Sequence, residues 1–295
     1  MKLRLSIWFL LMSGVIALAM GNNGVPPWFG SAKATCVSSG YVGPGDLGIP
    51  TPAAWWGLRS FSAASCSTRV VNVCNVSDVA CVDMVTDATG KLVIPLVGGS
   101  DCSMVVCTIK ILYDKVASFN LTGASIAVRP RLLTSCIGSL PCLTCTSPAN
   151  TRLFFTGGFV LAQPYTTSGV IKASGGFVGS WTAASSQPTV GGGISSANTM
   201  NINAGTNLTK GSIANGAFHA MQNVFNSTTS SISADGSTTT GNAGTGAPGS
   251  NPDFCQSSLG NSWDGSVTEV GWWSGAFSGA NITAMNSNQH AFWGF

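Results

Sequence analysis

Charge is what this sequence has least of. Asp, Glu, Lys and Arg together make up 8% of its 295 residues, against about 25% in ordinary soluble domains. A single glutamate, Glu269, is present. The formal net charge is +3, and Lys2 and Arg4 at the extreme N-terminus account for two of those cations. A chain so nearly neutral has no basic field for nucleic acid, and that partner is excluded. Only two histidines occur, His219 and His290, and one Cys-x-x-Cys, Cys142 to Cys145, with no second such pair. That leaves no zinc ligand set, and no metal or cofactor is expected. Helix-forming residues at helical spacing are scarce, and no apolar run after the first twenty residues is long enough to span a bilayer.

The one long apolar run stretches from Leu5 to Ala19, behind the basic pair Lys2 and Arg4, and ends in Ala17-Leu18-Ala19. A short basic segment, an apolar stretch under the roughly 20 residues of a spanning helix and a small-x-small ending make a signal peptide over residues 1–19. No membrane span is expected after its removal, and the chain is expected to be secreted or extracytoplasmic. All ten cysteines follow the proposed cleavage site. An even count in an exported chain points to disulfides. Ser, Thr, Asn and Gly must cover the surface that charge leaves bare, which suits polysaccharide or cell-envelope surroundings.

Residues 20–40 read as a lead-in segment and 41–295 as one domain. Within it, short β-rich runs alternate with Gly, Ser, Asn and Pro clusters, the pattern of an all-β sandwich or barrel. Expected strands include Arg69–Val73, Met104–Tyr113, Arg152–Val160, Gly169–Ala173, Met200–Ala204, Ala217–Phe225 and Ser266–Trp273. In the second of these, alternation puts Ile109, Ile111 and Tyr113 on one face, opposite Lys110. Ser230–Ala234 runs into Asp235-Gly236, a hairpin signal. Adjacent Trp272 and Trp273 must point to opposite faces of their strand. His219 and His290 read as ordinary strand and tail residues.

Five landmarks near the start keep a recognisable order: Gly43-Pro44-Gly45-Asp46, Trp56-Gly57-Leu58-Arg59-Ser60-Phe61, Asn75-Val76-Ser77-Asp78, Cys102-Ser103-Met104-Val105-Val106-Cys107 and Ile111-Leu112-Tyr113-Asp114. This succession resembles the opening of the α-L-arabinofuranosidase B catalytic domain, and Thr268–Ser278 resembles that family's closing strand. The middle of the chain is closer to a laminin-G-like pattern. The resemblance implies a concanavalin-like jelly-roll sandwich of two antiparallel sheets. It also implies a Cys102–Cys107 disulfide, because the family closes the same Cys-x4-Cys loop. Cys74 with Cys81, across a turn at Asn75–Asp78, is a further expected pair.

Retaining glycosidases need two carboxyl groups, a nucleophile and an acid, flanking the scissile bond. The resembled family takes its nucleophile from an Asp-Met-Glu-Asn-Gly-type strand in mid-domain and its acid from a Gly-Gly-Asp-Asn-Ser-type turn before the final strand. Glu269 being the only glutamate, the first has no carboxylate counterpart. Leu259-Gly260-Asn261-Ser262 places an amide at the second, and an amide cannot supply the proton. The acids left to serve are Asp264, beyond Asn261, and Glu269 on the final strand. Glu269 also has a structural reading, as a strand residue paired with Arg59 or a backbone amide, and Asp264 one as a turn residue. Sugar binding needs less: an aromatic face and a few polar groups, for which Trp263, Trp272, Gly260 and Asn261 are the candidates. The function expected is carbohydrate recognition, with a polysaccharide or glycan as partner and arabinose-containing chains among the candidates, and with weak or no turnover. The alternatives are an active α-L-arabinofuranosidase and an envelope or particle-surface structural protein.

Overall fold

A computed structural model describes residues 40–146, 151–175, 181–184, 190–194, 198–248, 251–255 and 264–295. The signal peptide expected at 1–19 and the lead-in at 20–40, apart from Gly40, lie outside the described residues, as do Trp263, Gly260 and Asn261. In chain order the strands are β1 (Ala54–Gly57), β2 (Arg69–Asn75), β3 (Cys81–Val85), β4 (Cys107–Leu112), β5 (Leu121–Thr122), β6 (Arg131–Ile137), β7 (Leu140–Cys145), β8 (Leu153–Phe154) and β9 (Tyr165–Gly175). They continue with β10 (Trp181–Ala184), β11 (Val190–Ile194), β12 (Met200–Asn203), β13 (Asn207–Lys210), β14 (Phe218–Phe225), β15 (Ser230–Ala234), β16 (Ser237–Gly241), β17 (Asn251–Phe254) and β18 (Asp264–Ser274). One α-helix, α1 (Gly279–Trp293), follows.

The fold is an all-β antiparallel sandwich. Its layers are joined through β18, whose first half pairs with β7 and whose second half pairs with β1, while β9 runs along the other side of the whole strand. From β9 one layer continues through β14 and β15 to β16. The hairpin between β15 and β16 turns at Asp235 and Gly236, both at positive φ (48° and 79°), as a two-residue hairpin of matching twist requires.

The tryptophan pairs divide as strand geometry demands. Trp56 and Trp272 enter the main core with Phe159, Tyr165 and Phe254, while Trp55 and Trp273 lie on the opposite face in a second cluster with Val224, Phe277, Ile282 and Met285. Gly57 and Gly271 give those rings room: a Cβ at either would sit 2.5 Å from the indole of Trp55 or Trp273.

Two expectations are corrected. Ile109 is buried, but Ile111 and Tyr113 do not share its face. A register shift against β2 between Ile109 and Ile111 inserts Lys110 as a bulge, so Leu112 takes the inner position. The C-terminal tail is the 15-residue helix α1, not an irregular end. Its stripe of Ile282, Met285, Gln289 and Trp293 is buried, a helical spacing masked by the polar residues between them. Ser278 caps its start by accepting the Asn281 N–H at 3.2 Å, and Gly294 ends it in the left-handed region.

Candidate functional site

The face of the second layer that lies under α1 holds the chain's only glutamate. Glu269 on β18 receives two N–H groups of Arg59: Nε bonds Oε2, and Nη2 bonds Oε1 at 2.8 Å. Gln289 donates Nε2 to Oε1 at 2.9 Å, and Trp293 donates Nε1 to Oε2 at 3.1 Å. An ionised carboxylate has about four lone-pair sites, and here four donors meet them. Arg59 is held in turn by Asn288 Oδ1 at 2.8 Å and lies against the Phe292 ring, 4.8 Å from its centroid. Both members of the ion pair are buried, with side-chain exposures of 0% and 1%.

Glu269, expected as a catalytic acid, is held here as the partner of a buried ion pair. A carboxylate with every lone pair taken and no path to solvent neither attacks a sugar nor exchanges a proton with one. Nor can it pair with Asp264. The two are five positions apart on β18, roughly 16 Å along an extended strand, while paired glycosidase carboxyls are about 5–9.5 Å apart. Asp264 is half-buried at the first position of β18, opposite Gly175 in register. Trp272, expected as a sugar platform, lies elsewhere than on an open surface. It is buried in the main core, stacked parallel to Tyr165 at 6.0 Å and edge-on to Phe159 at 5.5 Å, with no face open to a ligand.

Reading for carboxylates alone missed Gln222. Strand β14 runs Ala220-Met221-Gln222-Asn223, which is similar to the Asp-Met-Glu-Asn pattern with an amide where that pattern has its carboxylate. The signal was in the sequence. Gln222 is buried on the same sheet face, donating Nε2 to Gln289 Oε1 at 2.7 Å. Gln289 therefore links Gln222, Glu269 and Ser168, the last through a 3.2 Å bond, and α1 covers all three.

Asp253 was missed for the opposite reason, since nothing in its residue type marks it. It is buried on β17 with Arg152 Nε 2.8 Å from Oδ2. Burial pushes its carboxyl up to about 7, and the Arg152 charge opposes this only in part. Asp253 and Asp264 flank one disulfide: Cys255 bonds Cys145, and Cys145 stands opposite Gly265, the neighbour of Asp264.

The structure bonds Cys102 to Cys107 and Cys74 to Cys81, and also Cys136 to Cys142. Cys74, Cys81 and Asp78 lie close enough to suggest a metal set. Their two sulfurs are in the disulfide, however, and Arg129 grips Asp78 through both Nη atoms at 2.7 and 3.2 Å.

No protein-family model matches the chain, and no curated protein matches it. Among solved structures, it is similar to an arabinofuranosidase complexed with arabinofuranosyl-α-1,2-xylobiose, with a TM-score of 0.67 and 12% identity. It is also similar to a mutant GH54 α-L-arabinofuranosidase soaked with 4-nitrophenyl α-L-arabinofuranoside, with a TM-score of 0.64 and 12% identity. Both matches cover 84% of this chain and 64% of the other, so the chain spans under two thirds of those enzymes' length. At that identity the likeness establishes the fold.

Proposed function

We propose that this chain is an exported carbohydrate-recognising sandwich with little or no glycosidase turnover. The observation that carries the reading is Glu269: on a fold similar to that of arabinofuranosidases, the sole glutamate is spent on a saturated ion pair. Without a nucleophile the two-step retaining route is lost, and loss of the general acid alone costs about 10²–10⁴-fold. Sugar binding needs neither carboxylate. Four disulfides among the described residues support an oxidising, extracytoplasmic setting.

One observation favours a second reading, an active arabinofuranosidase. Asp253, with its carboxyl near 7, and Asp264 flank the Cys145–Cys255 bridge and supply two acids in place of the missing pair. The deciding experiment is turnover of an aryl α-L-arabinofuranoside by the wild-type chain, Asp253→Asn and Asp264→Asn, run beside a glycan array. Glycan binding without hydrolysis is expected. Robust hydrolysis abolished by either substitution replaces the first reading with the second. Neither hydrolysis nor glycan binding leaves the structural, particle-surface role.

A further inference from the structure

The face that α1 covers at Glu269 and Gln222 emerges from under the helix toward β16. Here Val224, Ser231 and Thr240 form one cross-strand row, and Gln222, Ser233 and Thr238 form the next. Neighbouring strands are about 4.8 Å apart, and same-face positions along a strand about 6.7 Å. Ser231, Ser233, Thr238 and Thr240 therefore form a two-by-two grid of hydroxyls. The first turns of α1 and the segment before it wall this grid on one side, bounding an open cleft of about 540 Å³. That volume is within the range of about 300–1,000 Å³ typical of small-molecule sites.

Its lining has two kinds of surface. Phe277 and Ile282 from the helix side and Val224 from the floor are apolar, while Ser231, Thr238 and Thr240 contribute hydroxyls. Ser231 is only 7% exposed, and neither its hydroxyl nor those of Thr238 and Thr240 bonds a side chain among the described residues. Beside the cleft, Ser233 Oγ, Gln222 Oε1 and Asn286 Oδ1 are buried with no hydrogen-bond partner among the described residues. Buried polar atoms ordinarily have one, and the hydroxyl of Ser231, which itself lines the cleft, is the idle group that a ligand there would meet. Among the described residues, no Asp, Glu, Lys, Arg or His lines the cleft. An anion would find only a helix end there, and a cation no counter-charge.

We propose that the cleft between β15–β16 and the first turns of α1 is the carbohydrate site, and that it takes an uncharged sugar ring. The apolar wall meets the C–H face of the ring, and the Ser/Thr grid exchanges hydrogen bonds with its hydroxyls. This rests on the carbohydrate-recognition reading and moves the binding surface away from Asp264 and the segment before it.

The test uses the full chain on an array of neutral and acidic glycans, followed by calorimetry of the best neutral binder. The variants are Thr238→Val/Thr240→Val and Ser231→Ala, which keep shape and strand preference, with Thr240→Trp to fill the cleft and Thr239→Val as the opposite-face control. A single hydrogen bond is worth about 1 kcal/mol, so the double variant is expected to lose about 10- to 30-fold in affinity. Thr240→Trp should abolish binding, Thr239→Val should leave it unchanged, and melting temperature tracks folding throughout. Neutral-glycan binding unaffected by both the double variant and Thr240→Trp overturns the cleft and leaves the carbohydrate reading standing. Binding confined to acidic glycans does the same. No binding to any glycan overturns both.

Discussion

Arg59 and Glu269 are 210 residues apart in sequence and meet in a two-point ion pair beneath α1. The pair ties the residues following β1 to the middle of β18, while Asn288, Gln289 and Trp293 fasten the helix over it. It is a closure device, and its energetics are those of a buried charge: removing one partner strands the other. Glu269→Gln leaves the Arg59 cation, its side chain 0% exposed, without a counter-charge. The expected cost is about 3–5 kcal/mol, read as a lower urea midpoint with an unchanged slope. A midpoint equal to wild type would show that the pair holds nothing together.

Much of the sandwich is legible in the sequence because its signals are local. Alternation and turn residues mark β2, β14, the second half of β18 and the β15–β16 hairpin. What escapes is non-local. Lys110 is bulged because of how β2 pairs with β4, and nothing in Cys107–Tyr113 announces it. Helix α1 lacks the Leu, Lys and Glu that usually advertise a helix, and it is held by Met285 and Ile282 against Trp55 and Trp273. Once α1 is unseen, so are four of the residues that surround the Arg59–Glu269 pair. The pairing partner of Glu269 could be named from sequence, but its burial could not.

The disulfides should differ in worth by the loops they close. Cys145–Cys255 spans 110 residues, and Cys102–Cys107 spans five. Loop-closure entropy assigns about 4.7 kcal/mol to a loop of 100 residues and less to a short one. Cys145→Ser/Cys255→Ser is therefore expected to lower the unfolding midpoint clearly more than Cys102→Ser/Cys107→Ser, measured side by side in urea. Equal losses would mean that residual structure in the unfolded chain, not loop length, sets the contribution.

Stability should also fall with rising pH through one residue. Burial raises the Asp253 carboxyl to about 7, against about 3.9 for an unfolded aspartate. Between those values the folded chain holds a proton that the unfolded chain has released, so stability declines across that window and levels off above it. Asp253→Asn never ionises. It is expected to match wild type near pH 4 and to exceed it above pH 7, by on the order of a few kcal/mol. Parallel pH profiles for the two proteins would place Asp253 in a wetter setting than its burial implies.

Gln222 allows the sharpest trial of whether the covered sheet face is a lost active site. Gln222→Glu restores a carboxyl to the Asp-Met-Glu-Asn-like position without changing side-chain shape. The amide it replaces donates to Gln289 Oε1, and Gln289 donates onward to Glu269 and Ser168. An ionised carboxylate there would face an acceptor and lose its donor. Burial instead favours the protonated form, which keeps the bond at the expense of a raised pKa. The variant is expected to lose about 1–3 kcal/mol, more at pH 8 than at pH 5 because rising pH pulls the new proton away. No arabinofuranoside hydrolysis should appear, since α1 still roofs the site and Glu269, the carboxyl that Gln289 links to it, is taken up by Arg59, Gln289 and Trp293. Wild-type stability together with new turnover would mean that substrate reaches this face, and that the contacts of Gln289 and Trp293 open to admit it.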